Sequence, residues 1–180
     1  MQNRFLLLDR DGVLIDNDCY YVTAIQQVRL LDGVQNAIQR LKEFHYKLCV
    51  VSNQGGISKG LYTKKTVDEI HVYLENLLDM QGSIFWYYCP HHDKDFCNCR
   101  KPKAGLLQQA ISDFSIPTED LWMVGDSKID ILAGKKVNCK TALVQTGNGL
   151  KQIFSTWEKP DKIFQDFATF VDFLLETHEK

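Results

Sequence analysis

Two aspartates separated by one residue, Asp9 and Asp11, follow directly on the apolar run Phe5-Leu6-Leu7-Leu8. On an extended segment, side chains two apart share a face, so this spacing aims both carboxylates into one site and sends Arg10 elsewhere. Such a pair repels itself unless one member is protonated or a cation lies nearby, and Asp126, in Gly125-Asp126-Ser127, adds a third negative group. Magnesium is the natural counter-ion, a hard cation satisfied by one or two carboxylates, waters and phosphate oxygens. Taken singly, acidic residues at strand ends are solvated or cap the next helix. The convergence of several polar loops is what points to a metal site.

A second constellation is Cys89-Pro90-His91-His92-Asp93-Lys94-Asp95-Phe96-Cys97-Asn98-Cys99. Cys89, His91, Cys97 and Cys99 make a Cys₃His set that closes a tetrahedral structural zinc shell and leaves no open position for catalysis. His92 is the rival nitrogen donor. The alternative is ordinary thiols beside a surface histidine pair, against which the ligand count and types are complete. A loop this polar has little apolar surface to order it, so the metal must supply the ordering free energy. The loop runs into Arg100-Lys101-Pro102, so zinc would fix Arg100 and Lys101 relative to Asp9. Arg100 is a fork-like donor suited to a second phosphate or a pair of sugar hydroxyls. Cys49, inside Leu48-Cys49-Val50-Val51, reads as a buried inert thiol. Cys19 and Cys139 carry no signal.

These groups need a scaffold, and the chain alternates short apolar runs with amphipathic stretches, the pattern of βα units in a parallel sheet covered by helices on both faces. Strands are expected at 5–8, 47–52, 84–88, 121–124 and 141–144. Helical periodicity covers 34–44, 66–78 and 105–114, with shorter helices at 129–136 and 167–175. In such a sheet ligands collect beyond the carboxyl ends of the strands. There the sequence places Asp9-Arg10-Asp11-Gly12, Ser52-Asn53-Gln54-Gly55-Gly56 and Gly125-Asp126-Ser127. The expected architecture is an α/β, Rossmann-like three-layer sandwich with a central parallel sheet and a zinc-binding loop.

At 180 residues the chain suits a single domain over residues 1–180, with no repeat or linker to divide it. A formal charge of −2 offers no broad cationic field for nucleic acid or anionic lipid. No apolar stretch approaches a membrane span, and the polar start leaves too short a run for a signal segment. The expected protein is cytoplasmic, partnered by neither nucleic acid nor membrane.

Asp9-Arg10-Asp11-Gly12-Val13, then Ser52-Asn53, then Lys101, then Gly125-Asp126 with Asp130, resemble in type and order the four motifs of haloacid-dehalogenase-type phosphatases. That resemblance implies that Asp9 attacks phosphorus and Asp11 is the general acid and base. Elementary chemistry agrees, because an alkoxide leaves poorly unless protonated. Ser52, backbone N–H groups and Lys101 would balance the transferring charge. Asp9, Asp126 and the Asp11 backbone carbonyl fall to the magnesium, and Asp130 orients Lys101 or a metal-bound water. The zinc loop narrows the resemblance to the histidinol-phosphate and heptose-bisphosphate phosphatase branch. Tyr21-Val22, Cys89-Pro90-His91-His92 and Thr146-Gly147 look more like its heptose members. The implied substrate is D-glycero-D-manno-heptose 1,7-bisphosphate, losing its 7-phosphate on the way to nucleotide-activated heptose for lipopolysaccharide. Substrate contacts would come from Asp18, Tyr21, Asn53, Gln54, Gly55, Arg100 and Ser127. The chain departs from that pattern in Tyr20 for a glycine, Val13 for a threonine and Gln145 for an arginine. Histidinol phosphate is the alternative substrate, and a zinc-stabilised binding module without catalysis is the alternative class. Such a module would be expected to lack one of Asp9, Asp11, Lys101 or Asp126, and all four are present. A transferase passing phosphate to an acceptor other than water would use the same residues. No insertion is long enough for a large cap domain, so short lids around Tyr21, Ser58 and the zinc loop would cover a monomeric enzyme.

Overall fold

A computed structural model describes residues 4–18, 20–152 and 158–176. Cys19 lies outside the described residues. Six strands alternate with helices: β1 (Arg4–Leu8), α1 (Val34–Glu43), β2 (Tyr46–Asn53), α2 (Lys64–Leu77), β3 (Ile84–Cys89), α3 (Gly105–Phe114), β4 (Trp122–Gly125), α4 (Lys128–Lys136), β5 (Lys140–Val144), α5 (Gly149–Gln152), β6 (Lys162–Phe164) and α6 (Phe167–Glu176). The strands form one sheet in the order β3-β2-β1-β4-β5-β6, and every neighbouring pair is parallel.

Both faces of the sheet are covered, which is why its strands are continuously apolar rather than alternating. On one face Leu6 and Leu8 of β1, Leu48 and Val50 of β2 and Val124 of β4 pack against α1, α2 and α6. On the other, Leu7, Cys49, Val51 and Met123 pack against α3 and α4. Successive residues of β1 thus serve opposite cores. Burial pushes the Cys49 thiol up to about 12, with Asp113 adding to it, so the expected inert thiol is what the fold contains.

The order of the strands sets the position of the site. From β1 the chain builds outward through β2 and β3, then returns to β4 beside β1 and builds the other way. Helices on the two sides diverge at this reversal and leave a crevice beyond the tips of β1 and β4. Leu8 is paired with Val124, and the Asp9 N–H donates to the Val124 carbonyl at 2.9 Å. Asp9 and Asp126 therefore leave adjacent strands side by side.

The five expected strands and five expected helices all form, with ends shifted by one or two residues. α2 begins early because Thr63 caps it, its hydroxyl accepting from the Thr66 N–H at 3.1 Å; the first turn is polar and gave no periodic signal. β6 was not expected, since three residues are too few for any periodicity. It is the edge strand, and it is anchored just upstream where the Asp161 carboxylate accepts from the Thr141 N–H at 2.7 Å and its hydroxyl at 2.6 Å. No large cap interrupts the fold, and among the described residues no helix is long and apolar enough to cross a membrane.

α6 closes the core with Phe170, fully buried and edge-on to Trp122 (5.6 Å) and Phe164 (5.4 Å). Phe170→Ala should cost about 3–5 kcal/mol through lost burial and an unfilled cavity. In thermal unfolding the midpoint should fall by roughly 10 °C.

Candidate active site

The tips of β1, β2 and β4 and the segment after β3 converge on a cavity of about 520 Å³ lined by Asp9, Arg10, Asp11, Ser52, Asn53, Gln54, Gly55, Arg100, Asp126 and Ser127 among others. Asp9 is nearly buried, and its Oδ1 accepts from the Arg10 N–H at 2.7 Å. The chain then turns at Gly12, whose φ of +81° is left-handed. A Cβ on Gly12 would stand 2.3 Å from Asp126 Oδ2, and one on Gly147 would stand at the same distance. Asp126 is therefore clasped between two backbones with no room for a side chain on either. Its Oδ2 accepts from the Asn148 N–H at 2.8 Å, from Asn148 Nδ2 at 3.2 Å and from Asn17 Nδ2 at 3.4 Å.

Lys101 arrives from the cysteine-rich segment and is fully buried. Its Nζ lies 3.0 Å from Asp9 Oδ1 and 2.7 Å from Asp130 Oδ1, and donates to the Val51 carbonyl at 2.5 Å. Asp130 Oδ2 in turn accepts from the Ser127 N–H at 3.1 Å and its hydroxyl at 2.7 Å. Of the two sequence expectations for Asp130, orienting Lys101 is the one the geometry supports. Asn53 fixes the backbone beneath: its Oδ1 accepts from the Lys101 N–H and its Nδ2 donates to the Lys101 carbonyl, both at 3.0 Å. Asn53 reaches the cavity as expected, but its amide is spent at both ends on holding Lys101.

Asp11 sits in a different network. Its carboxylate accepts from Arg10 Nη2 at 2.9 and 3.1 Å and from Arg10 Nε at 3.2 Å, from Gln54 Nε2 at 3.0 Å and from the Ser52 hydroxyl at 3.4 Å. Gln54, buried, also donates to Ser52 Oγ at 2.7 Å and accepts from the Tyr62 hydroxyl at 2.8 Å. The expectation that Arg10 points elsewhere is wrong. Its backbone alternates as expected, but the long side chain folds back, because a buried guanidinium needs a carboxylate partner. Arg10 and, through Gln54, Tyr62 thus join the network around Asp11, which the sequence reading did not anticipate.

Four carboxylates, those of Asp9, Asp11, Asp126 and Asp130, face two cationic side chains. Arg10 is spent on Asp11 and Lys101 is shared between Asp9 and Asp130, so the negative charge of Asp9, Asp126 and Asp130 together is under-compensated. Burial raises the Asp9 carboxyl well above the usual range; Asp130, Asp11 and Asp126 push the same way, against Lys101. Asp126 is pushed up to about 6, first by burial and then by Asp130, although Asn148 and Lys101 oppose the shift. Burial alone would lower Lys101, but Asp130 and Asp9 outweigh it and raise its pKa, so the ammonium persists. Asp9, Asp126 and Asp130 each bring an oxygen within 4.8 Å of the others. With Asp130 occupied, Asp9 and Asp126 fit a hard divalent cation by charge and ligand type. The Asp11 carboxylate lies outside this cluster.

At the rim, Asp18, Tyr21, Arg100 and Ser127 all line the cavity. Tyr21 is braced by Lys59, whose Nζ donates to its hydroxyl at 2.9 Å. Asn17, Asn148, Lys128 and Lys151 line it too and were not expected. They lie in loops or at helix starts where periodicity gives no cue, although the small Gly147 marks the turn that delivers Asn148.

The cysteine-rich segment closes on itself as expected. Cys89 Sγ lies 3.6 Å from His91 Nδ1, 3.6 Å from Cys97 Sγ and 3.2 Å from Cys99 Sγ, and His91 Nδ1 lies 3.1 Å from Cys99 Sγ. A disulfide would need about 2 Å. A zinc tetrahedron with bonds of about 2.3 Å has edges near 3.5–3.8 Å, so these four atoms are slightly contracted around a hole of that size. Of the two histidines it is His91 that joins the three thiols, while His92 Nδ1 accepts from the Lys94 N–H at 3.1 Å. Arg100 Nη1 reaches back to the His91 carbonyl at 3.3 Å, tying the cavity wall to this cluster.

An open parallel sheet, its reversal point carrying Asp9 and Asp126 with a buried lysine between the strand tips, defines the haloacid dehalogenase-like phosphatases. A family model for HAD-hydrolase-like proteins matches residues 98–170. The chain is 35% identical over 179 residues to the D-glycero-beta-D-manno-heptose-1,7-bisphosphate 7-phosphatase of Pseudomonas aeruginosa, covering 98% of this chain and 100% of that one. It is 39% identical over 158 residues to the enzyme of the same name from Haemophilus influenzae, covering 81% and 83%. The crystal structure of D,D-heptose 1,7-bisphosphate phosphatase from B. bronchiseptica, complexed with magnesium and phosphate, superposes with a TM-score of 0.90 at 29% identity over 97% of this chain and 99% of that one. The chain belongs to the D-glycero-beta-D-manno-heptose-1,7-bisphosphate 7-phosphatase family.

The raised carboxyls make cation binding compete with protons. Between the unfolded carboxyl value near 4 and about 6, the metal-free native state holds more protons than the unfolded chain, so its stability falls as pH rises through that window. Above it the Asp126 carboxylate is ionised, and the cation offsets the buried negative charge. Magnesium titrations followed by calorimetry should show affinity dropping by about tenfold per pH unit below pH 6, with proton uptake by buffer on binding. An affinity independent of pH between 5 and 7.5 would contradict this assignment of the cation to Asp9 and Asp126.

Proposed function

We propose that this chain removes the 7-phosphate of D-glycero-D-manno-heptose 1,7-bisphosphate through an aspartyl-phosphate intermediate on Asp9. The observation that carries the reading is the Asp9 carboxylate, held 3.0 Å from a fully buried lysine at the reversal point of the sheet, with the carboxylate of Asp11 delivered by the same turn. The relatives' names support the sugar, and the double phosphate suits a cavity lined by Asp9, with buried Lys101 3.0 Å behind that carboxylate, and by Arg100.

In the first step Asp9 attacks phosphorus, the bond from phosphorus to the sugar oxygen breaks, and Asp11 gives its proton to the departing alkoxide. In the second, Asp11, now a carboxylate, takes a proton from water whose oxygen attacks the same phosphorus. Inorganic phosphate leaves and both aspartates return to their starting states. Lys101 and the Ser52 hydroxyl stabilise charge on the phosphoryl oxygens, and Lys101 is pre-set by Asp130 and Asn53, so little reorganisation accompanies the reaction. Asp9, Asp126 and the Asp11 backbone carbonyl would hold a magnesium ion, which would supply Lewis-acid neutralisation of the phosphoryl group. A zinc ion held by Cys89, His91, Cys97 and Cys99 fixes the loop that delivers Arg100 and Lys101. The reading includes a monomer acting in the cytoplasm, where a charged sugar phosphate is confined, on the way to nucleotide-activated heptose for lipopolysaccharide.

Asp9→Asn should abolish turnover while the thermal midpoint and zinc content stay at wild-type level; substantial residual turnover would remove Asp9 from the nucleophile role. Turnover compared on heptose bisphosphate, histidinol phosphate and fructose bisphosphate should favour the first strongly, and equal rates on all three would defeat the sugar assignment. Elemental analysis should find about one zinc per chain, lost together with most of the activity in Cys97→Ser. A zinc-free protein with full activity would refute the structural metal.

A further inference from the structure

α2 carries a buried group for which the chemistry above has no use. His71 is 4% exposed, its ring stacked on Trp86 with centroids 4.0 Å apart and 7° between planes, and edge-on to Tyr88 at 5.7 Å. Both aromatic partners are themselves tied to α2: the Trp86 indole N–H donates to Glu75 at 2.7 Å and the Tyr88 hydroxyl donates to Asp68 at 3.1 Å. Asp68, His71 and Glu75 are spaced by three and four, so one helical face grips β3 and fixes the plane of the imidazole. Nε2 of that imidazole lies 3.5 Å from Arg10 Nη1. A guanidinium only donates, so Nε2 must accept and the ring must be neutral. Burial, with the Arg10 charge added, drives the His71 pKa down to about 2, so the ring stays neutral wherever the enzyme works.

We infer that His71 is a positioning residue for Asp11, acting through Arg10; this rests on Asp11 being the proton donor. Nε and Nη2 of Arg10 are spent on Asp11, which leaves Nη1 in need of an acceptor in a buried setting. A second carboxylate there would pull the guanidinium off Asp11, and a cation would repel it. A neutral imidazole satisfies Nη1 without competing. His71 thus sets the plane of the guanidinium, and that plane sets the direction in which the Asp11 carboxyl group faces the leaving oxygen.

His71→Phe keeps the ring and the stack and removes the acceptor; His71→Gln offers an amide oxygen in its place. On heptose bisphosphate, His71→Phe should lower kcat by about tenfold with KM within about twofold of wild type, and His71→Gln should recover most of the loss. p-Nitrophenyl phosphate needs no proton on its leaving phenolate, so the nitrophenolate burst of His71→Phe in single turnover should stay within about twofold of wild type. A merely structural role would slow both substrates together. Asp11→Asn is the control. If Asp11→Asn does not separate the two substrates, Asp11 is not the donor and the inference falls with that reading. If it does separate them while His71→Phe keeps full kcat or slows both alike, the inference about His71 alone is overturned. Should His71→Phe not fold, His71→Leu in the same two assays carries the test.

Discussion

Everything in the site follows from the cost of burying Asp9 and Asp126 side by side in a crevice whose nearest cation, the Lys101 ammonium 3.0 Å from Asp9, is shared with Asp130. Burial comes first in destabilising the two ionised carboxylates and Asp130 adds to it on both, which is why both carboxyls are raised. The fold sustains the arrangement because Leu8 is locked to Val124 by the sheet and because two glycine backbones close on Asp126 from either side. Lys101 relieves part of the repulsion, but it is shared with Asp130. The remainder is the binding free energy available to a divalent ion and, with it, a phosphate.

Around that pair the side chains divide into two networks, joined through the backbone of the β1 and β2 tips. One runs from Asp130 through Lys101 to Asp9 and is pinned from below by Asn53. The other runs from Gln54 and Arg10 to Asp11. The tip of β2 serves both, with Ser52 and Gln54 turned to Asp11 and Asn53 turned to Lys101. The nucleophile and the proton donor of the proposed reaction, two residues apart on one turn, thus sit in different surroundings: Asp9 beside a lysine shared with Asp130, Asp11 held by Arg10 and Gln54.

Most of this was legible in the sequence wherever a physical rule has a fixed period. Short continuous apolar runs such as Phe5-Leu6-Leu7-Leu8 located the strands, and the cysteine spacing selected Cys89, His91, Cys97 and Cys99. Side chains long enough to escape their backbone direction were not legible. Arg10 folds back to Asp11 against the alternation that places its Cα, and His71 lies inside an amphipathic helix where an imidazole passes for an ordinary core residue. Asn53 was expected as a substrate contact on the strength of the family resemblance, whereas the hydrogen bonds that occupy it come from a segment 48 residues away. Long-range pairing of this kind has no local signature. β6 escaped for the opposite reason, being too short to carry any pattern.

That same short strand has a bearing on how the molecule behaves at high concentration. A parallel sheet leaves unpaired peptide groups along its border, a template on which another chain can add itself. Here the border at β6 is three residues long, opens with Lys162, follows Pro160, and is fastened inward where Asp161 grips Thr141. An incoming strand would find few hydrogen-bonding groups and would have to strip water from a lysine to reach them. The flank is thus blunted against runaway edge-to-edge assembly at little cost to the core, because almost none of the buried apolar surface resides there.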